Sequence, residues 1–102
     1  MNEKDWKILR SKVPDWQEAF MANLIEEYKA ILSEDTNPSD RFWKLEERLR
    51  TDQKLTGVQI NMRRSLMIPN LLELLNEGAI TLDDLKDFSE ELQEQVAFLY
   101  EQ

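Results

Sequence analysis

From Pro14 to Ser33 the chain places Phe20, Met21, Leu24, Ile25, Tyr28, Ile31 and Leu32 on one side of a helical wheel. At about 100° per residue these side chains share an arc about 140° wide. Glu18, Asn23, Glu26, Glu27 and Lys29 fall outside it, and Gln17 is the one polar intruder. A pattern this regular predicts a core-facing amphipathic helix over 14–33, and an amphipathic helix needs other elements to cover its apolar face. Every other strong local signal in the chain is also helical.

Asn37 followed by Pro38 joins a preferred cap residue to the residue favoured at the first helical position. It opens a predicted helix over about 38–54 with a narrow stripe of Phe42, Leu45 and Leu49, spaced by three and four as in a coiled-coil seam. Glu46 and Arg50 stand at the spacing that supports a helix. The segments 14–33 and 38–54 should therefore form a long antiparallel hairpin across the loop Ser33–Asn37. Upstream, Asn2 caps a short helix to about Lys12, and Val13-Pro14 is expected to interrupt, because a residue before proline disfavours the helical region.

Gly57 reads as a left-handed cap ending the third helix. A fourth helix over about 58–77 changes face midway, from Val58, Met62 and Leu66 to Leu71, Leu72, Leu74 and Leu75 nearly opposite. That switch predicts a kink or break near Pro69, a buried leucine cluster, and a cap at Gly78. Thr81 with Asp84 forms a capping box, and Ser89 caps a last helix carrying Phe88, Leu92, Val96 and Leu99. No strand-like alternation of any length occurs. The expected fold is all-α, a single compact bundle of five to six helices over 1–102.

Composition removes most chemistry. The chain has no histidine, no cysteine and only two glycines, Gly57 and Gly78. The residue that titrates near neutrality, the thiolate ligands and the glycine-rich phosphate cradle are all missing. The carboxylate pairs Glu26-Glu27, Glu46-Glu47 and Glu90-Glu91 are adjacent, so on a helix they diverge instead of converging on one metal. Asp83 to Asp87 lacks the spaced ligands of a calcium loop, and no serine sits beside a recognisable base. No catalytic, cofactor-binding or metal-binding residue is expected, and the chain reads as a non-enzyme.

Charge is uneven. The net −8 divides into −2 for residues 1–34, +2 for 35–68 and −8 for 69–102. The acidic last third is a solvated face or a complement to something basic, within the fold or outside it. The most apolar stretch, Leu66 to Leu75, is far shorter than the ~20 residues that span a bilayer. With no signal-like leader and no cysteine, a cytoplasmic location is expected without membrane insertion.

Two leads to function remain. Gln59, Asn61, Arg63 and Arg64 suggest the second helix of a helix-turn-helix, with Gly57 in the turn. The strongly acidic chain argues against DNA binding, so a nucleic-acid role, as a binder through Arg63 and Arg64 or as an acidic mimic, is the alternative. The aromatics are the better lead. Trp6 and Trp16 read as core, whereas Trp43 lies beside the Phe42-Leu45-Leu49 stripe on the flank of Glu47, Arg50 and Lys54. A tryptophan there needs a packing partner or another chain. The candidate interface comprises Phe42, Trp43, Arg50, Arg63 and Arg64, and the expected function is a small acidic, non-catalytic interaction or regulatory module. Its partner is another protein or a second copy, with two-fold pairing through the third helix.

Asp5-Trp6-Lys7-Ile8-Leu9, Val13-Pro14-Asp15-Trp16-Gln17-Glu18 and Asn37-Pro38-Ser39-Asp40-Arg41-Phe42-Trp43 together resemble a group of all-helical bacterial proteins of about this length. Those proteins have no assigned function, and some carry the label "multidrug transporter". The resemblance spans most of the chain and implies no active site. Without a transmembrane segment it implies at most a soluble accessory or regulatory protein.

Overall fold

In the structure, a computed structural model describing residues 2–102, one helix (α1) runs unbroken over Glu3–Leu32. At ~1.5 Å per residue its 30 residues cover most of the molecule's 52 Å long axis. The interruption expected at Val13-Pro14 does not occur. Val13 and Leu9 are buried on the inner side, while Arg10 and Pro14 are exposed. The Arg10 carbonyl, which loses its donor to the proline four residues on, therefore stands on the wet side of the helix. Packing of the inner side holds the turn that local preference would break.

Helix α2, Pro38–Asp52, returns along the C-terminal half of α1. Helix α3 spans Met67–Asn76 and α4 spans Glu90–Tyr100, with short 3-10 turns at Arg64–Leu66 and Leu82–Leu85. Among the described residues there are four α-helices and no strand, so the all-α expectation stands and the count of five to six does not. Two expected helices fuse into α1, and the expected helix over 58–77 exists only from Met67. Residues 59–63 are not helical, and Arg63 has extended backbone. The break near Pro69 is thus the start of α3, where Pro69 takes the third position and its missing N–H leaves no helical bond unmade.

The radius of gyration is 16.4 Å, against roughly 13 Å for an ordinary domain of this length. The excess length comes from a two-part construction, a body and an arm. In the body, Trp6, Leu9 and Val13 of α1 pack with Met67, Leu71, Leu74 and Leu75 of α3, then Ile80, Leu85, Phe88, and Leu92 and Val96 of α4. Three leucines of the expected cluster are buried and Leu72 is half-buried. Trp16 packs at the edge of this core, its ring 6.5 Å from that of Phe88.

Gly78 ends α3 in the left-handed conformation, φ +77°, as expected for a glycine cap. Gly57 does not have a positive φ. Its constraint is steric, because a Cβ there would lie 2.3 Å from Cδ2 of Phe20. This glycine lets the chain pass against α1 where body and arm join. Glu77 of α3 fastens the same turn, accepting from the backbone N–H of Thr56 (2.8 Å) and of Gly57 (2.9 Å). The Thr56 hydroxyl donates to Glu73, one turn earlier on α3.

A second fastening joins the chain's ends. Asp5 is buried, and its carboxylate accepts from the Ser89 N–H at 2.8 Å and the Ser89 hydroxyl at 2.6 Å. The Ser89 Oγ in turn caps α4 by accepting from the Leu92 N–H. Asp5 thus sits at the positive end of α4, which offsets part of the cost of burying a carboxylate that pairs with no cation among the described residues.

A candidate docking face on the helical arm

The arm is the C-terminal half of α1 with α2 lying against it, and its two sides differ in chemistry. Leu24 and Ile31 are buried along the seam, with Leu45 half-buried opposite. One side of the seam is polar. Arg48 pairs with Glu27 (2.9 Å), Lys44 with Glu34 (2.8 Å), and Arg41 donates to the Leu32 carbonyl (2.9 Å). Arg48 also reaches Asp52 at 3.2 Å, and Asp52 accepts from the Tyr28 hydroxyl at 2.7 Å. Burial and this bond to a carboxylate push the Tyr28 phenol up to about 12, since both disfavour the tyrosinate.

The opposite side is apolar and uncovered. Helical rotation carries Ile25 and Leu32 of α1 away from Glu27 and Glu34, and carries Phe42 and Leu49 of α2 the same way. All four are exposed. Met21, Leu24, Ile25, Tyr28, Leu49 and Val58 line a groove of about 160 Å³ near the root of this side. Nearer the tip, the exposed Phe42 and Trp43 rings pack edge to face with centroids 5.0 Å apart. Glu46 and Arg50 pair with each other on the outer flank of α2, and Glu26 with Lys29 on that of α1.

Of the residues singled out in the sequence, Phe42, Trp43 and Arg50 lie together on α2. Arg63 and Arg64 do not join them. Arg64 donates to Glu3 at the opposite end of α1 (2.9 Å), and its guanidinium lies 5.2 Å from the Trp6 ring centroid. This pair lowers the Glu3 carboxyl and raises Arg64. The five candidate residues therefore form two groups roughly 40 Å apart along α1. The helix that would have presented Gln59, Asn61, Arg63 and Arg64 to a DNA groove is not formed.

Ile25 and Leu32, which the periodic pattern assigned to the core, are the residues that sequence reasoning misplaced. The signal was present in the widths of the two stripes. An arc of about 140° on α1 faces an α2 stripe of only three residues, and one helix covers only part of so wide a face.

The body carries a cleft of about 490 Å³ lined by Asp5, Arg64, Ser89 and Gln95 among others. Three of its polar groups are already engaged. Asp5 is held by Ser89, Arg64 by Glu3, and the Ser89 hydroxyl both donates and accepts within the fold. Among the described residues no group of three or more acidic side chains is placed to hold a metal ion. No helix among them is long and apolar enough to cross a membrane. Comparison with protein-family models, curated proteins and solved structures finds no match to this chain.

Proposed function

We propose that this chain is a non-catalytic protein-interaction module, working in the cytoplasm, in which the body anchors a projecting arm and the arm docks a protein. One observation carries the reading. Ile25, Leu32, Phe42, Trp43 and Leu49, five large apolar side chains, are exposed on an arm that contributes nothing to the body's core. Apolar area concentrated in this way marks an interaction surface. The absence of cysteine agrees with a reducing compartment. The alternative is a nucleic-acid role, as a binder through Arg63 and Arg64 or as an acidic mimic; the non-helical backbone of residues 59–63 and the pairing of Arg64 with Glu3 favour the docking reading over the binder.

A photocrosslinking amino acid placed at Trp43 in the cells that make the protein tests the reading. Discrete crosslinked protein species are expected there, and none from the same probe at Asn23, which is exposed away from the apolar face. Equal labelling from both positions would sink the docking role. The complementary variant, Trp43→Ser, should fold as the parent does, because its side chain lies outside the core.

A further inference from the structure

We propose that the occupant of the arm's apolar face is a second copy of this chain, packed antiparallel so that Phe42 of each copy seats in the groove of the other. This rests on the docking reading above and names its partner. Size, shape and charge each support it.

Ile25, Leu32 and Leu49 are 51%, 48% and 47% exposed, and Phe42 and Trp43 are 61% and 62%. Trp43 lies on the outer flank of α2, and the four side chains that share the face present roughly 400 Å² per copy. Two copies would bury about 800 Å² from these side chains, and the groove walls with a polar rim bring that to about 1,200 Å², the lower end of specific interfaces. Packing two helical hairpins face to face makes a four-helix bundle, which covers Ile25, Leu32, Phe42 and Leu49 of both arms at once.

The shape is self-complementary. Phe42 projects near the tip and the groove between Met21, Ile25, Leu49 and Val58 lies near the root, on the same side of the arm. A two-fold axis across the middle of the arm exchanges the two positions, so each copy gives one ring and receives one. A groove of about 160 Å³ suits one phenyl ring, since an apolar cavity of ~150 Å³ accepts benzene.

Charge selects the orientation. The flanks of the face are neutralised within each copy, by Glu26 with Lys29 and Glu46 with Arg50. Most of the acidic excess lies elsewhere: the body, residues 1–16 with 55–102, carries twelve acidic and seven basic side chains, net −5. Parallel arms would set two such bodies side by side. Antiparallel arms hold them at opposite ends, separated by several times the ~8 Å screening length at physiological salt.

The chain contains no cysteine, so introduced thiols report without background. Sedimentation equilibrium across the micromolar range should show a monomer–dimer equilibrium. Ile25→Glu and Phe42→Ala should each raise the dissociation constant at least about 30-fold, with helical circular dichroism retained. Chains carrying Ser39→Cys mixed with chains carrying Gln53→Cys should oxidise to the mixed disulfide in preference to either homodimer. A monomer throughout the range overturns the second copy and passes the docking reading to the photocrosslink in cells. A dimer indifferent to both substitutions, or one forming homodimeric disulfides in preference, overturns the proposed face and orientation.

Discussion

Removing the Asp5 carboxylate should destabilise the protein more than any surface change, although Asp5 lies in the first turn of the first helix. The group is 2% exposed and accepts two bonds from Ser89, at 2.8 and 2.6 Å. Asp5→Ala deletes two charge-assisted hydrogen bonds, each contributing about 1.5–3 kcal/mol, and leaves the Ser89 N–H without its acceptor. It also removes the cost of burying a carboxylate, which offsets part of the loss. The expected net cost is about 2–4 kcal/mol, a fall in Tm of roughly 10–25 °C for a chain of this size. Asp5→Asn keeps an oxygen for the Ser89 N–H and should cost about half as much. Ser89→Ala loses the α4 cap and the hydroxyl donor together, about 1–3 kcal/mol. Because both changes break the same link, the double variant should cost less than the sum of the singles, by about 1–2 kcal/mol. Urea denaturation followed by circular dichroism measures all four. An Asp5→Ala cost below ~0.5 kcal/mol, or strict additivity with Ser89→Ala, would refute the argument that this contact fastens the chain's ends.

Other expectations follow from single contacts. Leu74, fully buried between helices, should cost about 2–5 kcal/mol on substitution by Ala, read from the same denaturation curves. Gly57→Ala drives a Cβ into the Phe20 ring and should cost about 1–3 kcal/mol; the double variant Phe20→Ala with Gly57→Ala should recover part of the Gly57 penalty. Tyr28 titrates higher folded than unfolded, so its contribution is complete below pH 10 and disappears as pH rises toward about 12. Stability should therefore fall across that window in the parent and less steeply in Tyr28→Phe, with tyrosinate absorbance tracking the ionisation. Glu3 and Asp87 titrate lower than an ordinary carboxyl, held by Arg64 and Lys12. Their contributions are present above the usual carboxyl range and lost as pH falls through it, and Arg64→Ala should remove the Glu3 share from the acid limb of the stability profile.

Periodicity and caps by themselves determined the helical class, the hairpin of α1 and α2, the starts at Asn2, Asn37 and Ser89, the Gly78 cap and the buried leucines of α3. These are local properties. A stripe every three to four residues, a cap side chain and a left-handed glycine are set by neighbours within a turn or two of chain. Three outcomes were decided only by tertiary structure. Helix α1 passes through Pro14 because Val13 and Leu9 are buried on its inner side, and that packing outweighs the local penalty. Gly57 is needed because Phe20, far away in sequence, occupies the space its Cβ would fill. The apolar arc of α1 is covered on one side of the seam and bare on the other. Each helix states which of its residues are apolar, but only the placement of α2 against Leu24 and Ile31 decides which of them meet water. The candidate face was therefore half legible. Phe42 and Trp43 stood out by their place beside a narrow stripe, whereas Ile25 and Leu32 looked like core until the number of helices available to cover them was known.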